Sequence, residues 1–288
     1  MSRLISSKRP PDLLRSEPVM RRVFFPVGIA ALCFATIIAV GTNTALADPN
    51  LALTYSIEYG GIRIMELDAR LDLAEGAQSD YSISLDGHTV GFLGNLKPVA
   101  FSATAEGTAG ERGMQPAVYA TTTHKRNKLK RLTITFQPND APITSFTPPD
   151  DKEDPGPPEL LKDSIDPGSA VVGLIHTLAT TSSCNDTIRI FDGKRRYDIT
   201  FTDLPNERLK PSSHSMFSGR THPCHATMVP RYGFKRGKDN PWDNSTVWFG
   251  QVLSDAPMLP VRIDTQIGLG PVRLNLIAAH WLDQRASR

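Results

Sequence analysis

The chain has 288 residues, enough for one large domain or two small ones, and its formal net charge is +2. The positive charge is concentrated at the N-terminus, because residues 1–47 hold six of the 32 basic residues and only two of the 30 acidic ones. The remaining 241 residues therefore carry 26 basic and 28 acidic residues, a net charge of −2. Nucleic-acid binding needs clustered positive charge, so this composition argues against a nucleic-acid-binding protein.

The N-terminal segment has the three parts of a secretory signal peptide. Arg21 and Arg22 form its basic part, and residues 24–40 form its apolar part. Residues 45–47 read Ala-Leu-Ala, which fits the small-x-small rule for cleavage. We predict cleavage after Ala47 and export of the mature protein to the periplasm.

This leader leaves two alternatives open. Residues 1–19 do not resemble a signal peptide, so Met20 is an alternative start of the protein. The apolar run has 17 residues, close to the roughly 20 that span a bilayer, so an uncleaved anchor is the alternative to removal of residues 1–47. The paired arginines also fit a twin-arginine signal, which leaves the export route open.

The cysteine count agrees with export. Only Cys184 and Cys224 remain after the leader is removed, and pairing is the default for an even number of cysteines in an oxidising compartment. We therefore predict a disulfide between them. It would close a loop of 41 residues, for which chain entropy gives a stabilisation of about 4 kcal/mol.

Alternation of apolar and polar residues predicts that the mature chain is mainly β. In residues 62–73, every second residue from Met65 to Leu73 is apolar and the residues between them are charged, which is typical of a strand with one buried face. The apolar phase changes at Ile64-Met65, so we predict a β-bulge there. Similar alternation begins at Tyr55, Tyr81, Leu132, Val247, Val261 and Val272.

Glycine punctuates these runs and indicates where strands turn. Gly60-Gly61 follows the first run, and Asp86-Gly87 follows the run that begins at Tyr81. Asp192-Gly193 is typical of a type I′ turn, so residues 184–201 are predicted to form a hairpin.

Three basic residues follow that last turn, namely Lys194, Arg195 and Arg196. Exposed charge on a hairpin needs no further explanation. The functional alternative is a contact with an anion, either a lipid phosphate or a partner's carboxylate, for which the planar arginine side chain is well suited.

One segment has the spacing of a helix. Asp166 is a good N-cap, and Pro167 suits the first helical position. We predict a helix of about 13 residues that packs on the open side of the sheet, with His176 exposed. Its apolar stripe is Val171, Leu174, Ile175 and Leu178.

Residues 137–166 interrupt the strand pattern. They are rich in proline and contain an acidic cluster at residues 150–154, which favours a disordered or extended loop. Strands of the same kind lie on both sides, so we interpret this segment as an insertion within a single β domain, residues 48–288. A linker between two domains is the alternative.

The segment from Ser164 to Phe201 resembles an exported bacterial family known as domain of unknown function 3108. The shared features are an Asp-Pro before a short apolar helix, a following cysteine, a charged hairpin and a second cysteine in a later strand, here Cys224. Residues 137–162 depart from the family, which has an apolar-rich stretch before the helix. The signature residues are Phe191, Asp192, Gly193, Arg195, Arg196, Tyr197 and Asp198.

The resemblance implies a mainly β fold in an envelope protein. The expected architecture is a strongly curved antiparallel sheet, an open barrel or β-spiral, with one short helix packed on it. The resemblance implies no activity, because none is established for the family.

Histidines near the second cysteine raise the question of a metal site. The group consists of His214, His222, Cys224 and His225. In a strand, residues 222 and 224 face one way and residue 225 the other, and Cys224 is already needed for the disulfide. We therefore predict no metal site, and we interpret the histidines as loop residues.

Motifs of catalysis and of membrane barrels are missing from the sequence. It contains no Gly-x-Ser-x-Gly, no His-Glu-x-x-His and no phosphate-binding glycine loop, so we expect neither enzymatic activity nor a cofactor. Aromatic residues make up only 7%, which is low for the aromatic girdles of a membrane barrel. After cleavage we expect a protein that is not an integral membrane protein.

Two functions are compatible with these predictions. The function we predict is a non-enzymatic role in maintaining the cell envelope, in which a solid sheet contacts a partner protein through the basic hairpin or the acidic loop. The alternative is that the curved sheet carries a lipid or another hydrophobic ligand in a cavity closed by the helix. The sequence does not separate them, because the inward side-chain volume depends on the strand register.

Overall fold

A computed structural model of the protein describes most of the chain after residue 49. The described residues are 50–73, 78–110, 113–125, 128–149, 154–234, 244–268 and 270–282. The predicted leader, residues 1–47, lies outside them, and so do residues 150–153 of the acidic cluster.

The described residues form one antiparallel sheet of fourteen strands, which confirms the predicted fold class. The strands are β1 Asn50–Tyr59, β2 Ile62–Leu73, β3 Gln78–Thr89, β4 Val99–Gly110, β5 Gly113–Lys125, β6 Lys128–Thr135, β7 Ile143–Thr147, β8 Asp186–Phe191, β9 Arg196–Asp203, β10 Glu207–Leu209, β11 Gly219–Tyr232, β12 Ser245–Gly250, β13 Leu259–Ile267 and β14 Gly270–Leu282. The helices are α1 Gly91–Leu96, α2 Pro158–Leu161 and α3 Pro167–Thr181.

The first and last of the described strands pair in the middle of the sheet. The strand order is β7-β6-β5-β4-β3-β2-β1-β14-β13-β12-β11-β9-β8, with β10 beside β11. The β1–β14 ladder runs from the Asn50–Leu282 pair to the Tyr59–Val272 pair. Among the described residues, no ladder joins the edge strands β7 and β8, so the sheet is an open barrel.

Contacts between the two edges show how far the sheet curves. Gly193, in the loop after β8, lies so close to Leu132 of β6 that a Cβ atom there would be 2.4 Å from the leucine Cδ2. The Lys194 Nζ lies 5.1 Å from the centre of the Phe146 ring on β7. Ile165 adds two backbone hydrogen bonds to the free edge of β8, each 2.9 Å long. The segment before α3 therefore covers part of the opening.

Two of the turn predictions can be compared directly with the structure. Gly60 and Gly61 both have positive φ, 58° and 83°, as a type I′ turn requires. The predicted bulge is confirmed, because Ile57 pairs with Met65 and Glu58 with Arg63, which leaves Ile64 as the extra residue.

The turn predicted at Asp86-Gly87 is wrong. Both residues lie inside β3, where Gly87 pairs with Phe101 of β4. A Cβ atom on Gly87 would be 2.3 Å from the Phe101 ring. The glycine is therefore explained by the aromatic ring across the ladder and not by a turn.

Helix α3 begins as predicted, but its buried stripe is broader. The Asp166 side chain caps the helix by accepting a hydrogen bond from the Ser169 N–H at 2.9 Å. Val171, which we expected on the buried stripe, is 40% exposed, whereas Val172 is buried. The difference arises because α3 contacts β3, β4, β5 and β8, so more than one face of the helix is covered.

The proline-rich segment is more ordered than predicted. It contains strand β7, which pairs with β6, and helix α2. Leu161 of α2 is buried in the core. Leu46–Arg288 forms one compact unit, and the strands on both sides of this segment belong to the same sheet. In the described part of the chain, no helix combines the length and apolar character that crossing a membrane requires.

Candidate functional site

An apolar cavity lies between α3 and the second half of the sheet. Its volume is about 220 Å³, and it is bounded by the first two turns of α3 and by strands β8, β9, β11, β12 and β13. The side chains that line it are almost all apolar. They include Ala170, Val171, Leu174, Ile190, Tyr197, Ile199, Phe201, Ala226, Met228, Val247, Phe249 and Ile263.

The cavity exists because α3 packs closely against the other half of the sheet. At Gly168 a Cβ atom would be 2.7 Å from the Ala105 Cβ on β4, so the missing side chain brings the helix close to that strand. On the cavity side, Ala170 and Ala226 are the small residues of the lining and leave space unfilled. Gaps of this size are uncommon in close-packed interiors.

One edge of the cavity reaches solvent. Val171 lines the cavity and is 40% exposed, so it lies at the mouth. Tyr197 lies in the lining and makes an edge-to-face contact with Phe234, with ring centres 6.0 Å apart. Burial raises the pKa of Tyr197 well above its ordinary value, so its hydroxyl stays protonated at physiological pH.

The N-terminus of α3 is held by a buried polar chain. Asp166 is fully buried, and its two carboxylate oxygens accept hydrogen bonds from the backbone N–H and the hydroxyl of Ser169. The Ser169 Oγ also lies 2.6 Å from the Tyr81 hydroxyl on β3. Burial raises the pKa of Asp166, and the hydrogen bonds from Ser169 oppose that rise. This carboxyl group therefore has a structural role as a helix cap.

The loop between β8 and β9 is longer than the hairpin turn that we predicted. Residues 192–195 connect β8 to β9, so the expected two-residue turn is wrong. The Asp192 carboxylate accepts hydrogen bonds from the backbone N–H groups of Lys194 at 3.0 Å and Arg195 at 2.7 Å. These bonds stabilise a four-residue loop in which Gly193 has a φ of 93°. Burial raises the pKa of Asp192, and the same N–H groups oppose the rise.

The structure does not place the three basic residues on one exposed patch. Arg196 is only 5% exposed, so it is not available for an external anion. Its Nη1 donates to the Asp198 carboxylate at 2.5 Å, and its Nε donates to the Leu160 carbonyl at 3.1 Å. Arg195 lies over the Phe234 ring, with 5.4 Å between the guanidinium carbon and the ring centre.

Asp198 is the acidic partner of this signature arginine. Its second oxygen accepts a hydrogen bond from the Arg231 Nε at 2.7 Å. Burial acts to raise the pKa of Asp198, but the hydrogen bonds and charges of Arg196 and Arg231 outweigh it, and the pKa lies below its ordinary value. The signature residues thus join β9 to the segment before α3.

The disulfide between Cys184 and Cys224 is present, and both residues are fully buried. Asp203 of β9 lies beside it and accepts hydrogen bonds from the Cys184 N–H at 2.8 Å and from the Ser183 hydroxyl at 2.6 Å. The His222 Nε2 lies 2.7 Å from the same carboxylate. Burial acts to raise the pKa of Asp203, but these donors outweigh it and lower the pKa.

This cluster could hold a metal ion only in a reduced protein. The ligand atoms of Cys184, Asp203, His222 and Cys224 lie within 4.8 Å of one another. The two sulfur atoms are bonded to each other here, so neither is a thiolate ligand.

The histidines are placed differently from our prediction. His222 and His225 lie in strand β11 and not in a loop. His225 contacts Thr227, with 3.3 Å between Nε2 and Oγ1, and His214 lies 2.8 Å from the carboxylate of the buried Glu58. The histidines therefore do not converge on one site. Asp203 and Glu58 were not predicted, because their partners are distant in sequence and follow no spacing rule.

These features define an open, barrel-like antiparallel β protein with a helix inside its curve and an apolar cavity beside that helix. The chain belongs to the family described as Protein of unknown function (DUF3108), whose model matches residues 54–277. This match confirms the resemblance found in the sequence.

A solved structure also matches the chain. It is described as a beta-barrel-like protein of domain of unknown function DUF1849 from Brucella abortus. The two sequences are 10% identical, the match covers 82% of this chain and 98% of that one, and the TM-score is 0.46. The comparison with curated proteins gave no match.

Proposed function

We propose that the protein is an exported, non-enzymatic envelope protein that binds the apolar part of a lipid or another hydrophobic ligand. The observation that carries this proposal is the apolar cavity beside α3. An apolar cavity of about 150 Å³ is large enough to take up benzene, and this one is larger, about 220 Å³. It therefore suits a short acyl segment or a single ring system and not a whole membrane lipid.

The chemistry of the lining supports binding rather than catalysis. The carboxyl groups that act electrostatically on the lining residue Tyr197 belong to Asp166 and Asp192, and each accepts hydrogen bonds that stabilise its own segment of backbone. A lining with few polar groups orients a ligand mainly by shape, as expected of a carrier.

The alternative role, contact with a partner protein through the basic hairpin, has less support. Arg196 is buried in an ion pair with Asp198, and the aromatic rings of Phe146 and Phe234 lie under Lys194 and Arg195. Most of the acidic cluster lies outside the described residues, so it adds nothing to that alternative.

Native mass spectrometry of protein purified from the periplasmic fraction without detergent tests the proposal. We expect an added mass that is released on denaturation and is identified as a lipid or fatty acid. The same purification also tests export and cleavage, since a mature chain would begin at residue 48.

A matched pair of variants locates the ligand. Ala226→Leu places a larger side chain in the cavity and should abolish the added mass, whereas Ala100→Leu makes the same change at an exposed position on β4 and should retain it. A bare wild-type mass, together with no uptake of added decanoic acid, would contradict the proposal.

A further inference from the structure

A group of exposed apolar side chains at one end of the sheet is not explained by the cavity. Phe92 is 78% exposed, Ile62 is 70% exposed and Leu96 is 58% exposed. Tyr59, Leu93 and Ile267 are exposed to a smaller degree. Helix α1 contains three of these residues and buries none of its six residues.

The strand ladders place these residues next to one another. Tyr59 pairs with Ile62 across the β1–β2 turn and with Val272 on β14, so the β13–β14 hairpin adjoins that turn. The Val90 N–H donates to the Ile64 carbonyl at 3.0 Å, which holds the start of α1 beside β2. We call this end of the sheet the apolar rim, comprising Tyr59, Ile62, Phe92, Leu93, Leu96 and Ile267.

Lysine residues continue the rim on one side. Lys97 follows α1 directly. Two residues later, Val99 of β4 pairs with Lys125 of β5, which places a second lysine near Lys97. Lys125 pairs in turn with Lys128. All three lysines are exposed, and among the described residues none of them forms an ion pair.

Exposure on this scale needs an explanation, because soluble proteins rarely expose contiguous apolar patches unless the patch binds something. A six-residue helix with no buried residue does little for the stability of the fold. Its apolar side chains are therefore more readily explained by a surface outside the protein.

We propose that the apolar rim docks the protein on an anionic lipid bilayer. Phe92, Leu96 and Ile62 would enter the headgroup region, and Lys97, Lys125 and Lys128 would lie among the lipid phosphates. This partner matches both halves of the rim, because an interfacial segment binds by burying apolar side chains while nearby cations are attracted to anionic lipids. The inference does not depend on the ligand cavity.

Vesicle co-sedimentation tests the proposal with protein from the periplasmic fraction. Vesicles of phosphatidylethanolamine and phosphatidylglycerol should bind the wild type, and vesicles of phosphatidylcholine should bind it less. The Phe92→Ser/Leu96→Ser double variant should weaken binding by about tenfold or more, since two large apolar side chains no longer enter the bilayer. Ile143→Ser is the matched control, because Ile143 is 56% exposed at the opposite end of the sheet and should change nothing.

The charge contribution has its own pair of variants. Lys125→Glu should lower the affinity for anionic vesicles by about fivefold or more at low salt, and high salt should reduce the difference. Arg70→Glu makes the same charge change at an exposed position on β2, where Arg70 pairs with Ala52 and Ser84 far from the rim, and should leave binding unchanged.

Two results would overturn the proposal. In the first, the rim variants bind anionic vesicles as the wild type does. In the second, the protein is a dimer in solution, Phe92→Ser/Leu96→Ser makes it monomeric, and no variant binds vesicles, which would assign the rim to a second copy of the chain. Ala226→Leu should keep vesicle binding and the rim variants should keep the bound ligand, so the two proposals fail separately.

Discussion

The two sides of helix α3 are packed in different ways. Toward β3 and β4 the helix is tight, because a side chain at Gly168 would clash with Ala105, and toward β5 Gly173 lies against the movable side chain of Met114. Toward β9–β13 the lining residues leave a cavity of about 220 Å³. The difference shows that the cavity is local and lies beside a helix that is anchored on its other side. A ligand bound there, as we propose, would leave the contacts on the other side of α3 unchanged.

The largest expected effect concerns the end of α3. Replacing both cysteines, Cys184→Ser/Cys224→Ser, frees the segment after α3 from β11 and removes the closure of a 41-residue loop. We expect the free energy of unfolding to fall by about 4 kcal/mol. Urea denaturation measures this, with the reduced wild type as the control. A loss below about 1 kcal/mol would show that the packing around α3 is sufficient without the disulfide.

Removing the partner of the buried arginine should have the next largest effect. In Asp198→Asn, Arg196 loses the carboxylate that balances its charge, and we expect a loss of about 3 kcal/mol at pH 7. Because the pKa of Asp198 is lowered in the folded protein, its contribution is present above the ordinary value of 3.8 and is lost as the pH falls.

Asp166, at the start of α3, should show the opposite pH dependence. Burial raises its pKa, so its contribution is fully present below 3.8 and is lost as the pH rises through the raised value. The stability difference between the wild type and Asp166→Asn should therefore grow toward low pH, while that for Asp198→Asn should shrink. Denaturation at several pH values compares them, and parallel pH profiles would contradict both assignments.

Two glycine substitutions test how rigid the contacts are between α3 and strands β3 to β5. In Gly168→Ala the new Cβ would lie 2.7 Å from the Ala105 Cβ and 3.1 Å from Ile83, and we expect a loss of about 2 kcal/mol. In Gly173→Ala the nearest atom is the Met114 Cγ at 2.8 Å, on a flexible side chain that can move. Helix propensity favours alanine by about 1 kcal/mol, so this variant should be close to neutral. Equal losses would mean that both contacts are equally rigid.

The smallest effect is expected on the cavity side. Ala226→Leu fills space that the ligand-free protein leaves open, and a gain of about 0.5–1 kcal/mol is expected. Thermal unfolding of ligand-free protein measures it, with Ala100→Leu as the control. A loss of more than about 1 kcal/mol would show that the cavity does not accept the added volume.

Local features of the fold could be predicted from the sequence because they depend on neighbouring residues. The helix cap at Asp166 and the bulge at Ile64 follow from short-range spacing, and the structure confirms both. The turn that we predicted at Asp86-Gly87 is wrong, because the glycine makes room for Phe101, a residue on another strand. A glycine that makes room for a distant ring cannot be distinguished in sequence from one that forms a turn.

Most of the candidate site was beyond the sequence for a similar reason. The basic triplet was expected on the surface, but Arg196 is drawn inward by Asp198 and by the Leu160 carbonyl, which lies 36 residues earlier. The cavity depends on the strand register and on the distance between α3 and the sheet. Neither is fixed by apolar spacing alone, so the sequence does not determine whether the sheet is solid or encloses a cavity.

The pairing of β1 with β14 also determines the order in which the fold can be completed. Strands β1 to β7 each pair with their neighbour in sequence, but one edge of β1 stays unpaired until β14, the last of the described strands, has been synthesised. Ladders between distant segments form slowly, and an unpaired edge is open to aggregation meanwhile. We therefore expect folding to be limited by closure of this central ladder, and truncation before β14 to leave the first seven strands prone to aggregation.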